Sequence, residues 1–421
     1  MDKNELKNIV LDQNNLSLEG NFIEREIFAK AEEYMKNDFV IVLTGLKRTG
    51  KSTLLKQLRR KYPGYYLNFD DDRLVNFSVQ DFQDLYEILI ELFGVKNLFY
   101  FDEIQNVLGW ERFVRRLHDE NKKVFVTGSN ANTLSQELGT HLTGRHLNLT
   151  LFPFSFREYL LLKNFLLGKN DFYLTEKRAL IKKYLFEYIK EGGLPEYLIS
   201  RNKEYIKTLY ENILYKDIIT RYKLGNEKSL KEILYFVVNN FSKEISFNSL
   251  KKLTGLGSST TVKDYFEFME NCYLIFLVQK FDYSFKKRVY ANKKVYLIDN
   301  AFANYLSSKN TEGYGELLEN TVFLELLRMK KEIFYFRGKK ECDFVVREGI
   351  KITQAIQVCY DFNKETKERE ISGLSEAMTQ FKLKEGLILT YDQEDEIKIK
   401  GKKVKKIIIK PVWKWLLGQG R

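Results

Sequence analysis

The chain has 421 residues, a formal net charge of +12 and 44% hydrophobic residues. This length exceeds one ordinary domain, so we expect two or three domains, each with its own apolar core. The positive charge suits a polyanionic partner such as nucleic acid, although charge alone leaves a merely soluble basic protein equally open. The polar N-terminus and the lack of a long apolar run predict neither a secretion signal nor a membrane span. Cys272, Cys342 and Cys359 lack metal-ligand or redox spacing, which predicts buried thiols and a cytoplasmic location.

In chain order, a helical lead-in over residues 1–35 is followed by alternating strand-like and helix-like runs, which are typical of a parallel α/β sheet. The strand-like runs cover residues 39–43, 65–69, 98–101, 123–127 and 147–151. The pattern then turns helical, and later strands are predicted at 276–278, 294–298, 334–337, 342–347 and 353–360. We divide the chain into a core with its lead-in (1–160), a helical lid or linker (161–225), a third module (226–310) and a fourth module (311–421).

The octapeptide Gly45-Leu46-Lys47-Arg48-Thr49-Gly50-Lys51-Ser52 fits the phosphate-binding pattern G-x-x-x-x-G-K-[ST]. A buried strand precedes it and a helix follows it from Thr53, which is the context that the motif requires. The glycines let the loop amides point inward as an anion-binding nest at a helix N-terminus. Lys51 is expected to reach the β- and γ-phosphates and the Ser52 hydroxyl to bind magnesium. We therefore predict a site for ATP or ADP with Mg²⁺.

The third predicted strand ends in Asp102-Glu103, which is the Walker B arrangement of an apolar strand followed by two carboxylates. Asp102 is expected to hold the magnesium shell through water, and Glu103 to polarise the attacking water as general base. The alternative interpretation is that both are helix-capping acids. We interpret the strand at 65–69 as inserted between the loop strand and the Walker B strand, which is typical of ATPases that hydrolyse through an added glutamate.

Polar residues near the next two strands supply further candidates. The fourth predicted strand is followed by Ser129 and Asn130, either of which would contact the γ-phosphate or orient water. Arg145 precedes the fifth strand, and its guanidinium would offset charge that develops in the transition state, in its own subunit or in a neighbour's. The alternatives are a plain turn and a surface arginine.

These motifs resemble an AAA-superfamily group of archaeal and bacterial P-loop ATPases that carry a C-terminal domain of unknown function. The resemblance extends to Asn68-Phe69-Asp70-Asp71, to the stretch Phe152-Pro153-Phe154-Ser155-Phe156-Arg157-Glu158-Tyr159 and to Gly192-Gly193-Leu194-Pro195-Glu196-Tyr197. It implies an AAA-like α/β core with a helical lid, then a winged-helix module and a restriction-endonuclease-like C-terminal domain.

Residues 226–310 permit a winged helix, with helices predicted over 230–241, from Ser246, and over 258–269. The predicted hairpin that follows interleaves basic and aromatic residues, a composition that suits contact with a nucleic-acid backbone and its bases. The predicted DNA contacts are Lys286, Lys287, Arg288, Lys293 and Lys294. The alternative is a solvated hairpin, and the acids on the third helix disfavour DNA on that face.

By resemblance, the C-terminal nuclease-like core needs a helix glutamate, a strand aspartate and a Glu-x-Lys on the next strand. Glu319 fits the first position and Asp343 the second. At the third position, Gln357 brings no charge to a magnesium site and Cys359 cannot replace the lysine ammonium. We expect a nuclease fold without nuclease activity.

The sequence as a whole predicts an ATP-binding, ATP-hydrolysing AAA-type protein whose C-terminal region binds a macromolecule. One interpretation is a DNA-associated ATPase. A second is a nucleotide-gated switch that binds protein partners, similar to STAND signalling ATPases, and forms homo-oligomers. A third, a magnesium-dependent DNA nuclease, is disfavoured by Gln357 and Cys359. The sequence does not separate the first two.

Overall fold

The computed structural model describes residues 1–20, 22–129, 144–168, 170–307, 313–399 and 404–418. The chain forms two compact units. Unit 1 comprises residues 1–152 and 271–273, and unit 2 comprises residues 153–270 and 274–421. The four-part division drawn from the sequence stays a prediction.

Unit 1 is built around a parallel sheet. Its strands are β1 (Val40–Thr44), β2 (Tyr65–Asn68), β3 (Leu98–Asp102), β4 (Lys123–Gly128) and β5 (His146–Thr150), in the spatial order β2-β3-β4-β1-β5. The predicted strands of the core and the mixed α/β class are confirmed. In space it is β4 that lies between β1 and β3, whereas β2 is at an edge of the sheet.

Apolar clusters cover both faces of this sheet. The helices of unit 1 are α1 (Lys3–Asn15), α2 (Phe28–Met35), α3 (Lys51–Lys61), α4 (Phe82–Phe93) and α5 (Trp110–Asp119). Val40 and Val42 of β1 pack into one cluster, and Ile41 and Leu43 pack into the other. Burial on both faces explains why β1 is a continuous apolar run in the sequence.

Unit 2 contains many helices and two sheets. The helices after residue 153 are α6 (Phe156–Leu162), α7 (Thr175–Glu191), α8 (Pro195–Ser200), α9 (Lys203–Asn212), α10 (Glu227–Asn239), α11 (Phe247–Thr254), α12 (Ser259–Asn271), α13 (Phe285–Tyr290), α14 (Asn300–Leu306), α15 (Tyr314–Arg328), α16 (Lys364–Gln380) and α17 (Val412–Gly418). A π-helical segment, Ile213–Thr220, follows α9 directly.

The smaller sheet is antiparallel, with strands β6 (Lys243–Ile245), β7 (Ile275–Gln279) and β8 (Lys293–Leu297) in the order β6-β8-β7. The larger sheet is mixed, in the order β13-β14-β12-β11-β10-β9. Its strands are β9 (Glu332–Arg337), β10 (Glu341–Glu348), β11 (Lys351–Cys359), β12 (Glu385–Thr390), β13 (Asp395–Ile399) and β14 (Lys405–Pro411).

The three predicted helices of the third module are present as α10, α11 and α12. The connection between β7 and β8 differs from the prediction: in place of a plain hairpin it contains helix α13, whose first turn is capped by the Ser284 hydroxyl accepting from Lys287 N. The winged-helix and nuclease-like assignments stay predictions.

Two of the stretches that carry the family resemblance meet inside unit 2. Phe154 N donates to Gly193 O at 2.7 Å, and Gly193 N donates to Asp299 Oδ2 at 2.7 Å. A β-carbon on Gly193 would lie 2.3 Å from Phe154 O, so this close approach requires glycine. Ser155 and Glu158 cap the start of α6 reciprocally, which explains the Ser-x-x-Glu spacing in the same stretch.

None of the helices within the described residues is long and apolar enough to cross a membrane.

Candidate functional site: the carboxyl edge of the parallel sheet

The phosphate loop connects the end of β1 to the start of α3, as the sequence predicts. Gly45 and Gly50 have φ values of 141° and 97°. A β-carbon on Gly45 would lie 2.3 Å from Leu151 O, so glycine is required there by contact as well as by conformation. The Lys51 ammonium donates to the carbonyls of Gly45 and Leu46 at 3.1 Å each, which holds it over the loop.

Arg25, which precedes α2, braces this loop and was not among the predicted site residues. Its side chain is 5% exposed. Nη1 donates to Thr49 O at 2.8 Å and Nη2 donates to Phe152 O at 2.6 Å. No local motif identifies this arginine, because its partners are backbone carbonyls far away along the chain.

The Walker B carboxylates lie at the same edge, beside the loop. Glu103 Oε1 is 3.7 Å from Lys51 Nζ, and Glu103 Oε2 accepts from Gln105 Nε2 at 2.5 Å. Glu103 has φ 50° and ψ 42°, a left-handed conformation that is costly for a residue with a β-carbon.

Thr127, at the end of β4, fixes both carboxylate residues. Its hydroxyl accepts from Glu103 N at 2.9 Å and donates to Asp102 Oδ1. Asp102 is fully buried, and its Oδ2 accepts from Tyr66 at 3.3 Å. The sequence predicts polar groups at the end of β4. The bridging role of Thr127 depends on the neighbouring position of β3, which only the sheet order reveals.

The electrostatics of Asp102 link it to the phosphate loop. Burial raises the pKa of Asp102, and hydrogen bonds from Ser52 and Thr127 oppose that shift. The Ser52 hydroxyl and the Asp102 carboxylate therefore meet, and both offer the oxygen donors that magnesium prefers. These two residues fit a magnesium ion.

The remaining predicted residues of the core are placed differently. Ser129 is buried at the end of β4, on the same edge as the loop. Asn130 lies outside the described residues, so the choice between Ser129 and Asn130 stays open.

Arg145 lies at the amino ends of the strands, on the side of the sheet opposite the phosphate loop. Val40 N donates to Arg145 O at 3.0 Å, which places Arg145 at the amino end of β1, and β1 and β5 run parallel. A strand of this length spans roughly 15 Å. Arg145 Nη1 lies 2.7 Å from Asp119 Oδ1 instead. This register excludes a role for Arg145 at the phosphate loop of its own chain, and a role in a neighbour's site stays a prediction.

The predicted DNA contacts divide into two groups. Lys286, Lys287 and Arg288 are on α13, and both lysines are exposed. Lys293 and Lys294, on β8, are buried, so the prediction that they contact DNA is wrong. Lys293 Nζ donates to the carbonyls of Arg288 and Val289 at the end of α13, and Lys294 is surrounded by carboxylates.

The four predicted nuclease-like residues lie around one cleft in unit 2, with a volume of about 790 Å³. Glu319 comes from α15, Asp343 from β10, and Gln357 and Cys359 from β11. Burial raises the pKa of the Cys359 thiol to about 11. Lys294 and Glu370, which the sequence did not single out as part of this cluster, contact Asp343 and Gln357 respectively.

Comparison with known proteins agrees with this geometry. A family described as "AAA domain" matches residues 37–160, and one described as "Domain of unknown function (DUF8612)" matches residues 182–313. The sheet, the phosphate loop and this match define a P-loop protein with an AAA domain over residues 37–160.

The chain belongs to the family of "Uncharacterized protein MJ1544" of Methanocaldococcus jannaschii, with which it is 36% identical over 429 residues, 97% of this chain and 94% of that protein. An "Uncharacterized protein" of Haemophilus influenzae is 30% identical over 356 residues, 80% of this chain and 86% of that one. Among solved structures, the Walker-type ATPase PABY2304 of Pyrococcus abyssi is 17% identical with a TM-score of 0.45, covering 68% of this chain and 96% of that chain.

Proposed function

We propose that the chain hydrolyses ATP at the carboxyl edge of the parallel sheet. The observation that carries this proposal is the convergence of Lys51, Asp102, Glu103 and Thr127 at that edge, with Lys51 Nζ 3.7 Å from Glu103 Oε1. An ammonium for the phosphates and a carboxylate for the attacking water are what hydrolysis of a phosphoanhydride needs.

In this proposal the residues have separate roles. The loop amides from Gly45 to Thr53 and the Lys51 ammonium bind the phosphates. Ser52 and Asp102 would hold a magnesium ion, which supplies charge neutralisation on the phosphate oxygens. Glu103 takes the proton from water as its oxygen attacks the γ-phosphorus and the bond to the bridging oxygen breaks, which yields ADP and phosphate.

The test is steady-state phosphate release by purified protein. Lys51→Ala should abolish release, because the phosphates lose their ammonium. Glu103→Gln should bind ATP as the wild type does and release phosphate about 10²- to 10⁴-fold more slowly, which is the usual contribution of a general base. Normal turnover in Glu103→Gln would refute the assignment of the base.

We further propose that the surface of α13 binds DNA. Tyr283, Phe285 and Tyr290 are 74%, 72% and 80% exposed beside the basic side chains of α13. Aromatic faces next to ammonium and guanidinium groups suit base stacking combined with contact to the phosphate backbone. The alternative, a nucleotide-gated switch with protein partners, predicts no effect of DNA on the ATPase rate.

A salt series decides between these two functions. Replacement of Lys286, Lys287 and Arg288 by Glu should weaken DNA binding and reduce the slope of log affinity against log salt by about 2 to 3, or about one per phosphate contact. A matched variant with Lys36, Lys203 and Lys207 changed to Glu carries the same charge change on exposed sites elsewhere. Equal losses in both variants, or no DNA binding by the wild type, would contradict the α13 surface.

A further inference from the structure

Lys294 is a buried cation whose ammonium contacts three acids of unit 2. Its side chain is 2% exposed, and Nζ lies 3.0 Å from Glu319 Oε1, 3.1 Å from Asp343 Oδ1 and 2.6 Å from Glu341 Oε1. An ammonium has three hydrogen-bond donors, so three carboxylates satisfy it completely. Tyr296 also donates to Glu319 Oε1, at 2.6 Å.

Other polar groups of the cleft, on Asp343, Gln357 and Glu370, also have hydrogen-bond partners within the protein. Asp343 Oδ2 accepts from Val358 N at 2.9 Å. Gln357 Nε2 donates to Glu370 Oε2 at 2.6 Å, and the other oxygen of Glu370 accepts from Arg369 Nε at 2.9 Å. The acids at the base of the cleft are therefore compensated by cations and donors of this chain.

The charge state of Lys294 agrees with these contacts. Burial disfavours the charged form, but the carboxylates of Glu319, Asp343 and Glu341 raise the pKa of Lys294 well above its ordinary value. The Lys294 ammonium lies among the carboxylates that a nuclease-like core would use for a metal ion.

The residues here do not fit such a metal ion. A magnesium ion bonds carboxylate oxygens at about 2.1 Å and would occupy the same space as the ammonium, with strong repulsion between the two cations. At the position of the expected Glu-x-Lys, Gln357 offers an amide and Cys359 a thiol. A nuclease-like core would have a carboxylate and an ammonium there, beside the metal ion. The residues of this cleft therefore differ from those of a nuclease-like core, and the Lys294 ammonium lies where such a core would hold a metal ion.

We propose that the ammonium of Lys294 is the resident cation of this cleft, in place of a divalent metal ion. Removal of that ammonium would convert Glu319, Glu341 and Asp343 into a site for a hard divalent cation, since carboxylate oxygens are the ligands such ions prefer. This assignment goes beyond the ATPase function and does not depend on it.

The test measures Mn²⁺ bound to the nucleotide-free, full-length chain, from the electron paramagnetic resonance signal of free Mn²⁺. Lys294→Met should bind one more Mn²⁺ than the double variant Lys294→Met/Asp343→Asn, which lacks a ligand. The melting temperature of Lys294→Met should rise by about 5 °C or more with Mn²⁺, because the ion stabilises only the folded state. No gain of Mn²⁺ in the folded Lys294→Met variant would overturn the proposal.

Lys294→Met leaves the buried carboxylates of Glu319 and Asp343 without a cation, whereas Glu341 keeps its ion pair with Arg337. The variant is therefore expected to be strongly destabilised. A second comparison therefore uses the wild type and Asp343→Asn, and measures the number of Mn²⁺ ions that each protein binds. Ions bound at other sites are the same in both proteins and do not affect the difference. Equal Mn²⁺ binding by these two proteins is the expected result. One more Mn²⁺ in the wild type, or Mg²⁺-dependent cutting of DNA that Asp343→Ala abolishes, would also overturn the proposal.

Discussion

Thr127 connects the two carboxylate residues of the candidate ATPase site through a single hydroxyl. It accepts from Glu103 N and donates to Asp102 Oδ1, so it positions both the residue that would accept a proton and the residue that would support magnesium. Thr127 is therefore a positioning residue, and its loss should act through Glu103 and Asp102.

We expect Thr127→Val to lower kcat about 10- to 100-fold, since a hydrogen bond to a charged group contributes about 1.5 to 3 kcal/mol. Valine keeps the shape of threonine and removes only the hydroxyl. Thr127→Ser restores that hydroxyl and should recover most of the rate, as measured by phosphate release with saturating ATP. A Thr127→Ser variant as slow as Thr127→Val would show that packing, and not the hydroxyl, is responsible.

At the scale of elements, the sequence predicts those strands and loops whose structure depends on neighbouring residues in the chain. β1 is buried on both faces and appears as a continuous apolar run, and the glycines of the phosphate loop are required by the strand-to-helix turn itself. Neither the loop contacts of Arg25 nor the place of Lys294 among acids could be found this way, because their partners come from distant segments. The opposite edge position of Arg145 follows from the register of β5 against β1, which no local pattern encodes.

The junction of α12 and β7 carries a testable pH dependence. Glu270 accepts from Leu277 N at 2.8 Å, and burial raises the pKa of Glu270 from 4.5 to about 7. Between these values the folded state binds more protons than the unfolded state, so the free energy of unfolding falls as the pH rises through this window.

Glu270→Gln keeps the acceptor and removes the titration. We expect the variant to gain about 1 to 3 kcal/mol relative to the wild type between pH 4.5 and pH 8, as measured by urea unfolding. Glu267→Gln, at an exposed site on the same helix, is the control and should keep most of the pH dependence of the wild type, because burial raises the pKa of Glu270 more than the charge of Glu267 does. Parallel profiles for Glu270→Gln and the wild type would contradict the shifted pKa.

For the whole molecule, the position of Arg145 links a catalytic role of this residue to the assembly of several subunits. Its side chain is 45% exposed at the edge of the sheet away from its own phosphate loop. A guanidinium there is available to a neighbouring subunit, where it would offset charge on the phosphates. The predicted catalytic role of Arg145 thus requires a homo-oligomer.

Mixing inactive variants tests this role. Arg145→Ala has an intact phosphate loop and Glu103→Gln has an intact arginine, so an equimolar mixture should hydrolyse ATP faster than the sum of the separate variants. A mixture of Lys51→Ala and Glu103→Gln should gain nothing, because every site in it is defective. Absence of recovery in the first mixture would eliminate Arg145 as a residue that acts on a neighbour.

The interior position of β1 in its sheet, between β4 and β5, has a consequence for synthesis of the protein. β1 pairs with β4 and β5, and both follow it in the chain. At about 5 to 20 residues per second, translation needs on the order of ten seconds after β1 emerges before β5 is complete. During this time an apolar strand has open edges, which is the condition for aggregation of nascent chains. The topology therefore favours aggregation of the nascent chain until β4 and β5 have emerged.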